Sequence, residues 1–377
     1  MKLLVFAHTP PPVHGQSVMV QTLLEGLGSD SGIHLLHVNP RLSRDSRDIG
    51  RWRPGKVFLL LRACTEAWRL RRRHGPAFFY YVPAPGKRSA LYRDLLVMAL
   101  CRPFFSGLVL HWHAVGLGGW LTHHASPLER WLARHLLGRA ALAIVLGENL
   151  RDDAAALSPR RIAVVRNGIS DPGVSASTRE PSRPPMQPRL PINALFLGLC
   201  SREKGLFDAV TAVQLANERA RGAGNPPIHL RVAGDFPDAE TERAFAAALT
   251  PGDDSIRHVG FVQAEAKTSL LRRAQVLIFP TRYAHEGQPL VVAEALACDV
   301  PVITTRWRAV HEGLPESHIY LVEPNRPEEI AAALDRVRTA GSPRGSLRQH
   351  FLAHFTRERH LAHLAETLRS LEANRSQ

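Results

Sequence analysis

The 377-residue sequence predicts an α/β fold built from two doubly wound domains in series. Three observations carry that prediction. Short apolar runs of strand composition alternate with segments of helical spacing, the pattern of parallel sheets joined by crossover helices. The alternation stops once, over 171–190 (DPGVSASTREPSRPPMQPRL), where five prolines leave little to build a core, and then restarts. The length also exceeds what one hydrophobic core organises, so two domains are expected.

In the first half, Leu3–Ala7 reads as a buried strand and Ser17–Leu27 as a helix following a Pro/Gly turn. Ile33–Val38 is a second strand, Phe58–Arg73 has helical spacing, and Ala77–Val82 is rich in strand formers. Leu91–Arg102 and Pro127–Leu137 read as helices, and Gly107–Trp112, Ala141–Leu146 and Ile162–Val165 as strands. Beyond the break, strands are expected at Ala194–Leu197, Ile228–Ala233, Val276–Phe279 and Pro301–Thr304. Helices are expected at Gly205–Arg219, Glu240–Leu249, Leu290–Ala297 and Pro327–Arg338, with a helical C-terminus. The resulting partition is an N-terminal domain at 1–170, a linker at 171–190 and a C-terminal domain at 191–345. A helical segment at 346–377 has the option of packing back on the first domain. A cleft between two such units is the default ligand site.

With 45% hydrophobic and 22% charged residues, the composition is that of a soluble globular chain. The N-terminal apolar run is too short for a secretory leader, and no apolar segment reaches the roughly 20 residues needed to span a bilayer. The four cysteines are far apart and contain no C-x-x-C pair, which suits buried thiols in a reducing, cytoplasmic setting. Charge is asymmetric: residues 1–170 hold 23 Lys and Arg against 10 Asp and Glu, whereas the remainder holds 25 against 24. A basic first half points to an anionic partner such as a phospholipid surface, a lipid-phosphate acceptor or nucleic acid.

The most informative stretch is FPTRYAHEGQPLVVAEALACDVPVITTR, residues 279–306. A strand ends, a loop carries Glu286-Gly287-Gln288-Pro289, and a helix starts near Leu290. Proline suits the first turn of a helix, where no backbone donor is needed. The N–H groups and positive dipole end of that helix suit a diphosphate. Glu286 and Glu294 lie eight positions apart, on the loop and on the helix.

The whole phrase resembles the nucleotide-sugar signature of glycosyltransferase family 4, of bacterial cell-surface polysaccharide type. The resemblance implies that Glu286 contacts donor-sugar hydroxyls, that Glu294 holds the nucleotide ribose, and that Gly287, Gln288, Pro289 and Leu290 face sugar and phosphate. FLGLCSREKGLFDAV, from Phe196 to Val210, is similar to the family's strand and loop that bring cations to the diphosphate. Lys204 falls at its Lys-Gly position, where charge grows on the leaving group. The family often carries Arg directly after Gly198; here Leu199 follows, and Arg202 is the candidate replacement. In HTPPPVHGQSVMVQ, Gly15 and Gln16 match the family's first phosphate loop, which is unlike the G-x-G-x-x-G dinucleotide fingerprint. His113 matches the second histidine of an HxH element expected to meet the donor sugar, and no third ligand accompanies His111 and His113 to make a metal site. Asn167-Gly168 matches a strand-end turn, and Gly260 the segment beside the nucleobase.

The resemblance runs from residue 3 to about 340 and implies the GT-B architecture, two Rossmann-like doubly wound domains facing across a cleft. It implies a retaining, metal-independent transfer from a UDP- or GDP-linked sugar, with no cofactor, to a saccharide or lipid-linked saccharide. The basic first half adds a candidate membrane patch at Arg69, Arg71, Arg72 and Arg73, with Arg51, Arg53, Lys56, Arg62, Trp52 and Trp68 nearby. The enzyme is then expected in the cytoplasm, peripheral at the inner face of the membrane. The rival readings are a GT-B epimerase or phosphorylase, and a basic non-enzymatic nucleic-acid- or membrane-binding protein. The sequence holds no recognisable nucleic-acid module, so no nucleic-acid partner is expected.

Overall fold

A computed structural model describes residues 1–28, 31–42, 54–173 and 190–373. It divides into two compact units, Met1–Asn167 with Arg357–Gln377, and Gly168–Thr356. Most of the expected linker (174–189) lies outside the described residues, as do Arg51, Trp52 and Arg53.

The first unit runs β1 (Lys2–Phe6), α1 (Gly15–Gly26), β2 (His34–Val38), α2 (Pro54–His74), β3 (Phe78–Tyr81) and α3 (Arg88–Cys101). It continues with β4 (Leu108–His111), α4 (Leu117–His123), α5 (Pro127–Leu136), β5 (Leu142–Val145), α6 (Arg151–Ala155) and β6 (Ile162–Val164). All described pairings are parallel, in the order β2-β1-β3-β4-β5-β6. Every residue of β3, β4 and β5 is buried, which is why these strands read as unbroken apolar runs rather than alternating ones.

Local chemistry fixes the helix starts. His14 caps α1: its Nδ1 accepts the Ser17 N–H at 3.4 Å, and Ser17 Oγ accepts the His14 N–H at 3.1 Å. Ser126 and Glu129 form the same reciprocal box at α5, with Pro127 in the first turn.

The second unit runs β7 (Ile192–Leu197), α7 (Leu206–Gly222), β8 (Ile228–Ala233), α8 (Ala239–Ala248), β9 (Ile256–Gly260) and α9 (Ala264–Arg273). Then come β10 (Val276–Phe279), α10 (Leu290–Ala297), β11 (Val302–Thr305), β12 (Ile319–Val322), α11 (Pro327–Ala340) and α12 (Ser346–His354). Its six strands are again parallel, ordered β12-β11-β10-β7-β8-β9, the doubly wound dinucleotide-type order. Its core packs Phe196, Val210, Val213, Leu230, Ile278 and Leu334 together.

The segment 346–377 is divided between the units. Leu347 and Phe351 of α12 pack with Leu296 and Ala297 in the second unit. The last helix, α13 (Arg357–Ala373), belongs to the first, where Leu364, Leu368 and Leu371 join Leu3, Val5, Val20 and Leu23. A Cβ on Gly26 would stand 2.2 Å from Leu361 Cδ1, so α1 reaches α13 through a glycine.

Candidate active site

In a doubly wound sheet, ligands bind at the C-terminal ends of the strands, where neighbouring strands send their crossovers to opposite sides. In the second unit that point lies between β7 and β10. The backbone there is close-packed. Gly198 N–H donates to Ala233 O at 3.0 Å and Gly234 N–H to Gly260 O at 2.9 Å. A Cβ on Gly234, which has φ +144°, would stand 1.8 Å from Gly198 O. Gly205 precedes α7 with φ +82°, and a Cβ there would meet Pro280 O at 2.3 Å. Glycine is the residue that tolerates both conditions.

This pressing of the β7 loop onto the end of β10 carries Lys204 to Glu286. Lys204 Nζ donates to Glu286 Oε2 at 2.6 Å, and Thr281 Oγ donates to the same oxygen at 2.9 Å. The ammonium also lies 4.9 Å from the Tyr283 ring centroid and 5.6 Å from that of Phe279. Both side chains are largely withdrawn from water, at 18% exposure for Lys204 and 9% for Glu286. The pair is therefore held at fixed geometry with little solvent screening.

Pro289 stands one position earlier than the sequence suggests: it is the N-cap of α10, and Leu290 is the first helical residue. No acidic side chain occupies the first turn, so the positive end of α10 is open to an anion. Gly287 is buried, Gln288 half-buried, and Gly260 ends β9 at φ +80° with no atom within 4 Å of a Cβ position. Glu294 has a partner of its own, accepting from Lys267 Nζ of α9 at 2.5 Å.

Arg202 does not join the Lys204–Glu286 pair. It is exposed, its guanidinium lies over the Phe207 ring at 4.3 Å, and Leu199 is 47% exposed. An arginine one turn ahead of α7 stacks on the first aromatic ring of that helix rather than reaching across the loop. The second arginine of this region is Arg282, whose Nη1 donates to Asp208 Oδ2 at 2.9 Å.

In the first unit, Gly15 is exposed and nothing lies within 4 Å of a Cβ there, so no protein contact requires a glycine. Gln16 is half-buried beside it. His8 Nε2 and His14 Nε2 are 2.7 Å apart. At the end of β4 and just past it, the His111 and His113 rings lie 4.2 Å apart, and Tyr80 Oη is 2.5 Å from His111 Nδ1. Burial, with the nearby His360 and His14 charges adding to it, pushes His113 down to about 3. His113 is thus a neutral imidazole, and its buried Nδ1 has no hydrogen-bond partner. Among the described residues no group of three or more His, Cys, Asp and Glu side chains is placed to hold a metal ion.

Residues 191–339, from β7 to α11, match the family Glycosyl transferases group 1. With this match and the relatives below, all glycosyltransferases, the chain is a glycosyltransferase. The matched segment contains Lys204, Glu286 and Glu294. The glycosyltransferase is 24% identical over 306 residues to an α-D-kanosaminyltransferase of Streptomyces kanamyceticus, covering 77% of this chain and 74% of the relative. It is 26% identical over 265 residues to TuaC of Bacillus subtilis, a protein assigned as a teichuronic acid biosynthesis glycosyltransferase, covering 66% of this chain and 62% of TuaC. In fold it matches a sucrose-phosphate synthase of Thermosynechococcus elongatus at a TM-score of 0.73 and 17% identity, over 99% of this chain and 100% of the other. Its architecture is accordingly GT-B, with two Rossmann-like α/β units.

Sequence reasoning missed four residues that contact the candidate site or lie beside it: Thr281, Tyr283, Arg282 and Lys267. The first three follow β10 directly, and a strand end at the switch point was signal enough to single them out. Lys267 carried no such signal, because its contact with Glu294 spans 27 positions.

Proposed function

We propose that the glycosyltransferase takes its sugar from a UDP- or GDP-linked donor held in the second unit. The acceptor is a saccharide or lipid-linked saccharide in cell-surface polysaccharide synthesis. The observation that carries this reading is the Lys204–Glu286 pair at the switch point, in the loop that leads to the open N-terminus of α10. Glu286 offers carboxylate oxygens to sugar hydroxyls. Lys204 and the α10 N–H groups stabilise the charge that develops on the departing diphosphate, an arrangement in which the donors are oriented before reaction. The chemistry is front-face displacement with retention, without a metal, and the leaving phosphate oxygen takes the acceptor proton. His113, neutral and with a free ring nitrogen, suits hydrogen bonding to a sugar hydroxyl rather than acid catalysis.

The enzyme acts at the inner face of the cytoplasmic membrane. Support comes from α2, where Val57, Phe58, Leu59 and Leu61 are 41%, 69%, 40% and 41% exposed, and Arg69, Arg72 and Arg73 are exposed further along. Apolar insertion beside arginines fits an anionic bilayer. Two members of the expected patch are engaged elsewhere: Arg71 Nε donates to Phe104 O at 2.8 Å, and Trp68 Nε1 to Leu100 O at 2.8 Å. No described helix is long and apolar enough to cross a membrane.

The test is a thermal-shift panel of UDP, GDP, ADP and CMP on wild type and Lys204→Ala. At 100 times its dissociation constant a ligand stabilises by about 2.7 kcal/mol. One nucleoside diphosphate raising the wild-type midpoint, and raising the variant's much less, is the expected result. No shift from any nucleotide overturns the donor assignment.

A further inference from the structure

The switch point of the first unit lies between β1 and β3, and a second charged group is built there. Asp94 of α3 is fully buried. It accepts from Tyr81 Oη at 2.7 Å, at the end of β3, and from the Ala84 N–H at 2.7 Å, in the loop that follows. Arg93 donates through Nε at 3.0 Å and Nη2 at 2.7 Å to one oxygen, Asp94 Oδ1.

The pairing is one-sided. Both oxygens of Asp94 are occupied, while among the described residues no hydrogen bond engages Arg93 Nη1, on a side chain that is 38% exposed against 0% for Asp94. The pair with Asp94 leaves that edge of the fork unused. Held by Asp94 in a fixed orientation, the fork is prepared for a second planar or tetrahedral anion. Burial, with the Arg93 charge adding to it, holds the imidazole of His8, just past β1, below its ordinary value.

His8 adds a donor. His14 Nδ1 accepts the Ser17 N–H, so the neutral ring carries its proton on Nε2. That proton goes to His8 Nε2, 2.7 Å away, which leaves the His8 proton on Nδ1. One strand-end region thus holds an oriented guanidinium with a free edge and an imidazole N–H.

We infer that Arg93 forms an anion subsite in the first unit and recognises a phosphate or carboxylate carried by the acceptor. The inference rests on the transfer reading above and adds to it the chemical class of the acceptor: a phosphosugar or the phosphate of a lipid-linked sugar on one hand, a uronic acid on the other.

The experiment is calorimetry on the full chain. The nucleoside diphosphate is titrated first, and its binding tests the donor reading without involving Arg93. Glucose 1-phosphate, glucuronate, inorganic phosphate and glucose are then titrated in parallel, with the nucleotide present where it binds and without it where it does not. At least one anionic sugar binding about tenfold more tightly than glucose is expected, and Arg93→Gln removes that preference. Preference for glucose 1-phosphate assigns a phosphorylated acceptor, and preference for glucuronate a uronic one. Equal binding of charged and neutral sugars, binding of inorganic phosphate alone, or a preference that survives in Arg93→Gln overturns the assignment. Should Arg93→Gln fail to fold, Arg93→Lys decides: it keeps the charge beside Asp94 and loses the fork, and an undiminished preference overturns the proposal.

Discussion

Lys204 Nζ and Glu286 Oε2 meet at 2.6 Å although 82 positions separate them. The contact exists because β7 and β10 are neighbours in the sheet and the loop after β7 packs onto the end of β10, where Gly205 meets Pro280. Replacing Lys204 by Ala leaves a carboxylate 9% exposed without its cation. Removing one partner of such a pair costs about 3 kcal/mol, and losing a preoriented donor at a developing charge costs about 100-fold in turnover. Urea unfolding and initial rates measure the two effects. The double variant Lys204→Ala/Glu286→Gln should be more stable than the sum of the single changes.

Gly205→Ala tests the packing that places Lys204. With φ +82° and Pro280 O 2.3 Å from the new Cβ, the loop must shift. A stability loss of at least about 1 kcal/mol is expected. A weaker nucleotide response should accompany it, although no ligand-contacting atom has been removed. An unchanged thermal midpoint would count against the close approach.

Glu294→Gln keeps the shape of the side chain and removes the charge that holds Lys267 at 2.5 Å. The ribose contacts expected of Glu294 are charge-assisted hydrogen bonds worth about 1.5–3 kcal/mol, so on that reading nucleotide affinity should fall by about tenfold or more. Isothermal titration of the nucleoside diphosphate is the check. Glu294→Asp, with a shorter reach, should not restore it.

Acid should destabilise the first unit in a defined window. Burial holds His113 down to about 3, and His14 and His360 down to about 4. In the unfolded chain each titrates near 6.5, so below that pH the unfolded state binds more protons than the folded one. Stability is complete above about 6.5 and is lost progressively as pH falls toward the folded values. Urea midpoints between pH 7.5 and 4.5 should decline, and His113→Asn should flatten the decline. A variant with the wild-type slope would show that His113 is not a buried neutral base.

For the membrane surface, Phe58→Glu and the pair Arg72→Glu/Arg73→Glu should each weaken sedimentation with anionic phosphatidylglycerol vesicles. Phosphatidylcholine vesicles should bind poorly throughout. Each arginine near an anionic surface is worth roughly 1 kcal/mol, so the double reversal should reduce binding more than tenfold. Equal binding of the double variant would leave α2 as an ordinary solvated helix.

The sequence was most legible where burial is complete. β3, β4 and β5 are buried along their whole length, and their apolar runs located them to within two residues. β12 was missed because three of its four residues, Ile319, Tyr320 and Leu321, are only half-buried at the sheet edge. α4 was missed because Gly118 and Gly119 weaken its helical pattern; Asp153 holds its start instead, accepting from the Gly116 and Gly118 N–H groups at 3.0 and 2.8 Å. α9 was missed because its polar run AEAKTSLLRR buries little beyond Leu271. The same logic governs the site. Lys204 and Glu286 sit in motifs that single them out in the sequence, and the structure pairs them; Lys267 and Arg93 are ordinary surface cations in the sequence, and only tertiary contacts with Glu294 and Asp94 distinguish them.

The placement of α13 makes the first unit discontinuous in the chain. The sheet strands of that unit are complete at Val164, yet four of its core residues, Leu364, Ala365, Leu368 and Leu371, arrive only after the second unit. On the ribosome, the second unit therefore emerges whole before the first can close. Until then, the face of the N-terminal sheet that α1 shares with α13 is only partly covered.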